Sequence, residues 1–598
     1  MRQKLKQLIE NAIGELQLDL GSDFNIDILI EPTKDQNHGD YACNFALLAA
    51  KKLKTNPRSL ADNLVTKLNK SDLIKKIEIA GPGFINFFIS PVALMQIIFD
   101  INQLKESYGK SELGKNQKVH LEFVSSNPTG PLHVGHGRHA AFGSCVANLL
   151  ESIGFSVYRE YYINDAGRQM QILGFSLWLR YLELKNYKIK FPSKGYQGDY
   201  VSAIAQDFAA QISSGSELNI LADSRIVDLY LNKIKNITVP DDLENGDSYI
   251  DQCIAIASEV MTQANFKTCM DFVCAQVLTD IKADLEEFGV RFDNWFSEAQ
   301  MIATGAIERT LEYLEAKNYL YKKDGATWFK TSEFGDEKDR VLIRSNGQNT
   351  YFAPDIAYHL SKIERGNDIV ADILGSDHHG YIPRLRACLR AFDKPDEKFI
   401  TKLVQFVDLY RNNQKVPMST RSGSFITLRE LRNEVGNDAT RFFYIMRKVD
   451  QLIDFDIDLA KSKSNENPVY YIQYAHARIC SIMRQLIEKG YNFDSNYIKN
   501  IADLSKLNVL EDQHELDLLN HLSNYVEMIE SAALAYEPHR VVQYLKELAN
   551  LFHKYYNACA ILTDDMMIRD ARVYLILAVK QIISNALTLL GISSPEKM

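Results

Sequence analysis

The spacing of apolar and polar positions changes several times along the chain, and each change marks an element. Residues 1–17 interleave charges and apolar side chains at helical spacing, and FNIDILIEP (24–32) then reads as a strand. NHGDYACNFALLAAKKL (37–53) reads as a loop entering a helix, and IEIAGPGFINFFIS (77–90) as strand, tight turn, strand. A polar stretch at 104–118 closes this α+β unit, placed at 1–110. From 118 the pattern alternates. VHLEFV (119–124) is a strand and SSNPTGPLHVGH (125–136) a Pro/Gly turn. HGRHAAFGSCVANLLESI (136–153) is a helix with Gly154 as its C-terminal cap, and FSVYREYYI (155–163) a second strand. The alternation returns at 354–393 as helix, strand (DIVADILG, 368–375), helix. Two such blocks predict a doubly wound, Rossmann-like parallel sheet over 115–460, interrupted by a polar helical insertion at about 185–285. Beyond about 460 strand signals stop, and four long segments with i, i+3, i+4 spacing predict an all-helical bundle over 465–598. The fold class is therefore multidomain α/β with a helical C-terminal domain.

Composition narrows the classes. Gly 30 and Pro 15 in 598 residues exclude collagenous and low-complexity chains. A net charge of −9 excludes a protein held on nucleic acid by bulk charge, but not one with a local basic face. The N-terminus has no apolar stretch or cleavage site of a secretory signal, and no run of about eighteen apolar residues points to a membrane span. Eight scattered cysteines without a C-x-x-C pair predict buried, reduced thiols, hence a cytoplasmic setting.

The sharpest chemistry lies in Asn127-Pro128-Thr129-Gly130-Pro131-Leu132-His133-Val134-Gly135-His136. A strand runs into a tight turn and a helix opens. Gly135 admits close backbone approach, the helix N-terminus attracts anions, and His133 and His136 can donate to phosphate oxygens. Tyr351 and Asp355 are four apart at a helix start and can share one face, and Glu122 stands on the strand before the turn. A carboxylate with an aromatic neighbour suits a planar guanidinium. Asp377, His378 and His379 end a strand where doubly wound sheets bind ligands, which suits ribose or adenine contacts better than a metal, since no third ligand is spaced to join them. Lys51, Lys52, Lys54 and Arg58 form a basic cluster. Tyr470, Tyr471, Tyr474, Tyr555 and Tyr556 crowd the C-terminal bundle, either as core or as stacking surfaces.

N-P-T-G-P-L-H-V-G-H resembles the HIGH signature of class I aminoacyl-tRNA synthetases, in the form typical of the arginyl-tRNA synthetase family. HGDYACN and AGPGFINF are similar to its N-terminal additional domain, and YFAPDIAYH with LGSDHHGYIPRL to its catalytic core. VPMSTRSG is similar to its second ATP signature, and NPVYYIQYAHAR with LLGISSPEKM to its anticodon-binding domain. The resemblance implies ligation of L-arginine to tRNA(Arg) through an adenylate, with Mg²⁺ arriving with ATP, no protein-bound zinc and, on our expectation, a monomer. It implies an arginine pocket of Glu122, Ser125, Asn127, His136, Tyr351 and Asp355. It implies an ATP site of Asn127, Pro128, Thr129, Gly130, His133, Gly135, His136, Asp377, His378, Met418 and Ser419. Pro417 and Thr420 replace the lysines of the second signature. The family pattern then nominates Lys118, with Arg421, as the compensating cation beside His133 and His136, ahead of Lys415. Two other readings stay open: a HIGH-type transferase that makes a small-molecule nucleotide, and an inactive tRNA-binding paralogue.

Overall fold

A computed structural model describes residues 1–16, 28–33, 36–68, 71–212, 221–235, 237, 246–417, 426–491 and 507–598. They form two compact units, Met1–Ser111 with Ser462–Met598, and Glu112–Lys461.

The second unit is built on five parallel strands, β1 (Lys118–Glu122), β2 (Ser156–Ile163), β3 (Asn294–Ser297), β4 (Ile369–Gly375) and β5 (Phe399–Val404). Their order across the sheet is 3-2-1-4-5. Winding reverses between β1 and β4, and such a switch point opens a crevice outside the carboxyl ends of the strands. Central β1 is buried from Val119 to Glu122, so its polar residues His120 and Glu122 must find partners inside the protein. Helix α1 (Val134–Ser152) follows the turn and presses its small residues against the end of β1. A Cβ at Gly143 would lie 2.3 Å from the Phe123 ring. The helix stops at Ile153, with Gly154 at φ +89° just beyond, as expected of a C-terminal glycine. Helix α2 (Phe352–Glu364) leads into β4.

The insertion is helical where described: Asp199–Ile212, Ser224–Ile234, Gly246–Met261 and Gln263–Glu287. Two small sheets were not anticipated. One is antiparallel, from Leu320–Lys323, Ala326–Phe329 and Arg340–Ile343; the other joins Val407–Arg411 to Gln414–Lys415 and Ile453–Asp456.

In the first unit, the expected hairpin is Ile74–Ala80 with Phe84–Ile89. Tyr41–Cys43, read from sequence as loop, is instead a strand between Ile30–Pro32 and Phe84–Ile89. The C-terminal helices are Pro468–Glu488, Gln513–Ser523, Tyr525–Ala535, His539–Ala558 and Met566–Leu589. Met566–Leu589 is long and apolar enough to cross a membrane by length and composition alone, yet Val573, Leu575, Val579 and Ile582 are fully buried in the bundle, as in a core helix. Seven of the eight cysteines are buried, Cys274 is half-buried, and all are free thiols.

Because α1 sets the phosphate turn, its fit on β1 is testable. Gly143→Ala should overpack Phe123 and lower stability by about 1–3 kcal/mol, read as a lower urea midpoint for unfolding; an unchanged midpoint would contradict this close packing.

Candidate active site

The turn between β1 and α1 is strained and doubly capped. Val124 and Ser125 adopt φ of +68° and +41°, unusual for residues with a Cβ, and this swings the chain off the strand. Ser125 Oγ accepts from the Tyr162 N–H at 3.1 Å, and Ser126 Oγ lies 2.7 Å from the Tyr161 hydroxyl. His133 is the N-cap of α1, so the helix opens at Val134, two residues earlier than the sequence suggested. Its Nδ1 accepts from the N–H groups of Gly135 (3.1 Å) and His136 (3.4 Å), while His136 Nδ1 accepts from His133 N–H (3.3 Å). The two rings stack with centroids 3.6 Å apart. A Cβ on residue 135 would approach His133 Cε1 to 2.9 Å, which explains the glycine.

Burial pulls both imidazoles below their ordinary range, His136 strongly, where repulsion from the nearby His133 and His139 adds to the effect. Both rings are therefore neutral at pH 7. With each Nδ1 accepting from backbone, the proton resides on Nε2, leaving that N–H as the donor the ring can offer an anion.

Carboxylates gather at the same end of the sheet. Glu122 on β1 and Asp372 on β4 are bridged by Lys362 of α2, whose Nζ donates to Glu122 Oε2 at 2.5 Å and to Asp372 Oδ1 at 2.8 Å. Burial opposes this ammonium, but Asp372 and Glu122 outweigh it and raise its pKa. Burial likewise works against the Asp372 carboxylate, and Lys362 and His359 reverse that to hold it below the usual range. His359 Nε2 lies 2.8 Å from Asp372 Oδ2, and its Nδ1 2.8 Å from the Asp355 carbonyl. Glu160 on β2 is a second closed centre, shared by His120, Tyr358, Asn294 and Arg365.

Two carboxylates stand outside these pairings. Asp355 accepts from the Tyr381 hydroxyl, and burial raises its pKa, with Glu122 adding to the rise. Glu298, at the start of Glu298–Ala303, is hydrogen-bonded to Tyr162 and pushed up to about 7 by burial, then by Asp355 and Asp165. Asn164 turns its amide nitrogen to Glu298 Oε2 at 3.0 Å, and Asp165 holds Ser297 and the Ala299 N–H. Tyr162 feels Glu298, Asp355 and Glu122 together, which places these acids around one phenol. Such a pocket suits a planar cation.

The structure gathers several expected residues here: Ser125, His133, Gly135 and His136 in the turn, with Glu122 and Asp355 around Tyr162. Glu122, expected to face the substrate, is in this state ion-paired with Lys362. Asn127 is exposed on the turn, and Tyr351 stands 68% exposed ahead of α2. Asp377, His378 and His379 lie in the 3₁₀ turn Ser376–Tyr381 just past β4, exposed, with Asp377 acting on His139 of α1. Met418, Ser419, Thr420 and Arg421 lie outside the described residues. Lys415 is paired with Asp408 at 2.6 Å.

One expectation is corrected. Lys118 opens β1, pairs with Ser156 at the start of β2, and its backbone N–H bonds Asp368 just before β4. It therefore sits at the amino edge of the sheet, about 13 Å of strand away from Glu122 at 3.3 Å per residue, and its side chain is too short to meet phosphates beyond the carboxyl edge. Sequence reasoning also missed Glu298, Asn164 and Tyr381. The only local signal was the polar Asn164-Asp165 pair directly after β2, at the ligand end of a parallel strand.

Away from this site, Tyr555 is fully buried in the helical bundle, while Arg478 lies over the Tyr474 and Tyr556 rings, 4.5 Å from each centroid. Asp512, His514 and Cys559 come within 4.8 Å of one another, but Asp512 is already the N-cap of Gln513–Ser523 and accepts from the His514 N–H and ring.

Lys362→Met tests the buried bridge. It leaves Glu122 and Asp372 without their shared cation and should cost about 3–5 kcal/mol, read by chemical denaturation; a loss under 1 kcal/mol would mean the pair is solvated.

The chain matches three family profiles: "Arginyl tRNA synthetase N terminal domain" over residues 3–89, "tRNA synthetases class I (R), catalytic domain" over 98–458, and "DALR anticodon binding domain" over 472–598. An arginine–tRNA ligase of Thioalkalivibrio sulfidiphilus (strain HL-EbGR7) is 50% identical over 605 aligned residues, covering 100% of both chains. That of Legionella pneumophila (strain Paris) is 47% identical over 602, again covering 100% of both. Among solved structures, Thermus thermophilus arginyl-tRNA synthetase aligns over 100% of both chains with a TM-score of 0.73 at 22% identity, a likeness of fold.

Proposed function

Since the chain belongs to the arginyl-tRNA synthetase family, we propose that it is an arginine–tRNA ligase that activates L-arginine with MgATP and passes it to the 3′ end of tRNA(Arg). The observation that carries this reading is the pair of uncompensated carboxylates, Asp355 and Glu298, at the carboxyl end of a sheet whose phosphate turn carries two neutral histidines. The guanidinium is recognised by Asp355 and Glu298 with Tyr351 at the mouth, and Glu122 stands behind them through Lys362. The α-amino and carboxylate end falls to Ser125, Asn127 and His136. The arginine carboxylate attacks the α-phosphorus, the bond to the bridging oxygen breaks, and pyrophosphate leaves with Mg²⁺. His133 and His136 donate from Nε2 to phosphate oxygens as charge builds on them, without changing protonation state. Pro128, Thr129, Gly130 and Gly135 shape the backbone against the nucleotide, Asp377 and His378 are assigned to its ribose and base, and Met418 and Ser419 to the same nucleotide site. With Lys118 removed from the candidates, Arg421 is the cation we assign to the leaving phosphates. A hydroxyl of the terminal tRNA ribose then attacks the adenylate carbonyl, its proton passing to the phosphate of the departing AMP, with no covalent enzyme intermediate. Residues 1–110 and 465–598 take the tRNA, and the enzyme acts as a cytoplasmic monomer.

Aminoacylation with a panel of labelled amino acids tests the reading: arginine alone should be charged, and charging of another amino acid, or none, sinks it. Acid dependence tests the pocket. A guanidinium favours ionised Glu298, so arginine binding below pH 7 must displace a proton. kcat/KM for arginine should therefore rise with pH up to about 7 and level off above it. Glu298→Gln should lose at least about tenfold at pH 8, the scale of a charge-assisted hydrogen bond, and lose the acid limb as well. An unchanged limb in that variant would assign the titration elsewhere.

A further inference from the structure

The phosphate turn has little backbone support of its own. Pro128 and Pro131 contribute no N–H, and within the turn Thr129 N–H donates to Asn127 O at 2.7 Å. Support arrives from the insertion. Tyr200, in the first turn of Asp199–Ile212, donates its hydroxyl to the Thr129 carbonyl. Tyr196 shares a hydrogen bond with the Thr129 side chain. The Tyr200 ring is held between two glycines: a Cβ at Gly130 would come within 3.2 Å of it, and one at Gly198 within 2.6 Å. The segment carrying both phenols is itself tied down. Tyr196 N–H donates to the buried Ser176 Oγ at 2.9 Å, and the Gln197 carbonyl accepts from Arg180 at 3.0 Å. Arg168, which opens the helix Arg168–Leu184, pairs with Asp247 and Asp251 of the insertion at 3.1 and 2.7 Å.

We propose that Tyr196 and Tyr200 are positioning residues for adenylate formation, through which the 185–285 insertion fixes the shape of the Asn127–Pro131 turn against ATP. The proposal rests on the ligase reading. It gives the insertion a task inside the catalytic centre: the turn takes its phosphate-binding shape only while both phenols grip Thr129. Loss of one grip should lower the fraction of enzyme with a competent turn without touching the guanidinium pocket.

The test is ATP–pyrophosphate exchange in the presence of tRNA(Arg). Tyr200→Phe keeps the ring and removes the donor; kcat should fall about fivefold, the scale of one neutral hydrogen bond, with a smaller rise in arginine KM, through Asn127, and an unchanged thermal midpoint. Tyr196→Phe should behave likewise. Gly198→Ala lies outside the ATP site but displaces the Tyr200 ring, so it should reproduce the Tyr200→Phe defect, and the double variant should be no worse than Gly198→Ala alone. Wild-type kcat in both phenylalanine variants, a defect matched by a lower thermal midpoint, or additive losses in the double variant would overturn the proposal. A wild-type enzyme that charges no arginine would instead overturn the ligase reading, so the two failures are distinguishable.

Discussion

Lys362 is the interaction on which the rest of this site depends. Its ammonium sits between β1 and β4 at the switch point and takes one oxygen from Glu122 and one from Asp372. Without it, two strands of the sheet centre would each present an unpaired buried carboxylate, a cost several times larger than an ordinary hydrogen bond returns. With it, those charges are closed off, and His359 occupies the remaining oxygen of Asp372. Arg365 does the same for Glu160 one strand away. The anionic character left over belongs to Asp355 and Glu298, whose partners are neutral phenols and an amide. On the proposed assignment a cationic substrate completes the pattern, and selectivity for a guanidinium follows from which acids the scaffold has left unneutralised.

Much of the scaffold was legible because a doubly covered parallel strand reads as a short apolar run between turn signals, and VHLEFV, FSVYREYYI and DIVADILG all do. The small sheet over 320–343 was not, since LYKK and ATWF are four-residue strands with polar members and half-buried faces. Tyr41–Cys43 is shorter still and precedes a helix whose periodicity dominates its window. For the site, local rules found the turn, because its chemistry is contiguous. Glu122 shows where local rules end: its partner Lys362 lies 240 residues away, and no spacing announces it. Glu298 is carried in from β3 by the same kind of long-range closure. The misplacement of Lys118 has a different cause. It was adjacent to the turn in sequence, but a parallel strand has a ligand end and a far end, and strand direction alone assigns Lys118 to the far one.

The electrostatics divide the two substrates between two kinds of group. His133 and His136, the proposed phosphate donors, are neutral, because backbone N–H groups have claimed each Nδ1 and burial suppresses protonation. A charged imidazolium pair at 3.6 Å would repel itself and, in the adjacent pocket, draw off the field of Asp355 and Glu298. Neutral rings avoid both effects while still aiming hydrogen bonds at oxygens that gain charge in the transition state, where fixed dipoles in a partly dry site act most strongly. On the proposed assignment formal positive charge is needed only on the leaving side of the nucleotide, the part given there to Mg²⁺ and Arg421. Arginine is held, on the same assignment, by anions, phosphate by neutral dipoles, and pyrophosphate by cations. Both histidines keep one protonation state through adenylate formation on this assignment, and the proton that Glu298 carries below about pH 7 leaves when arginine binds.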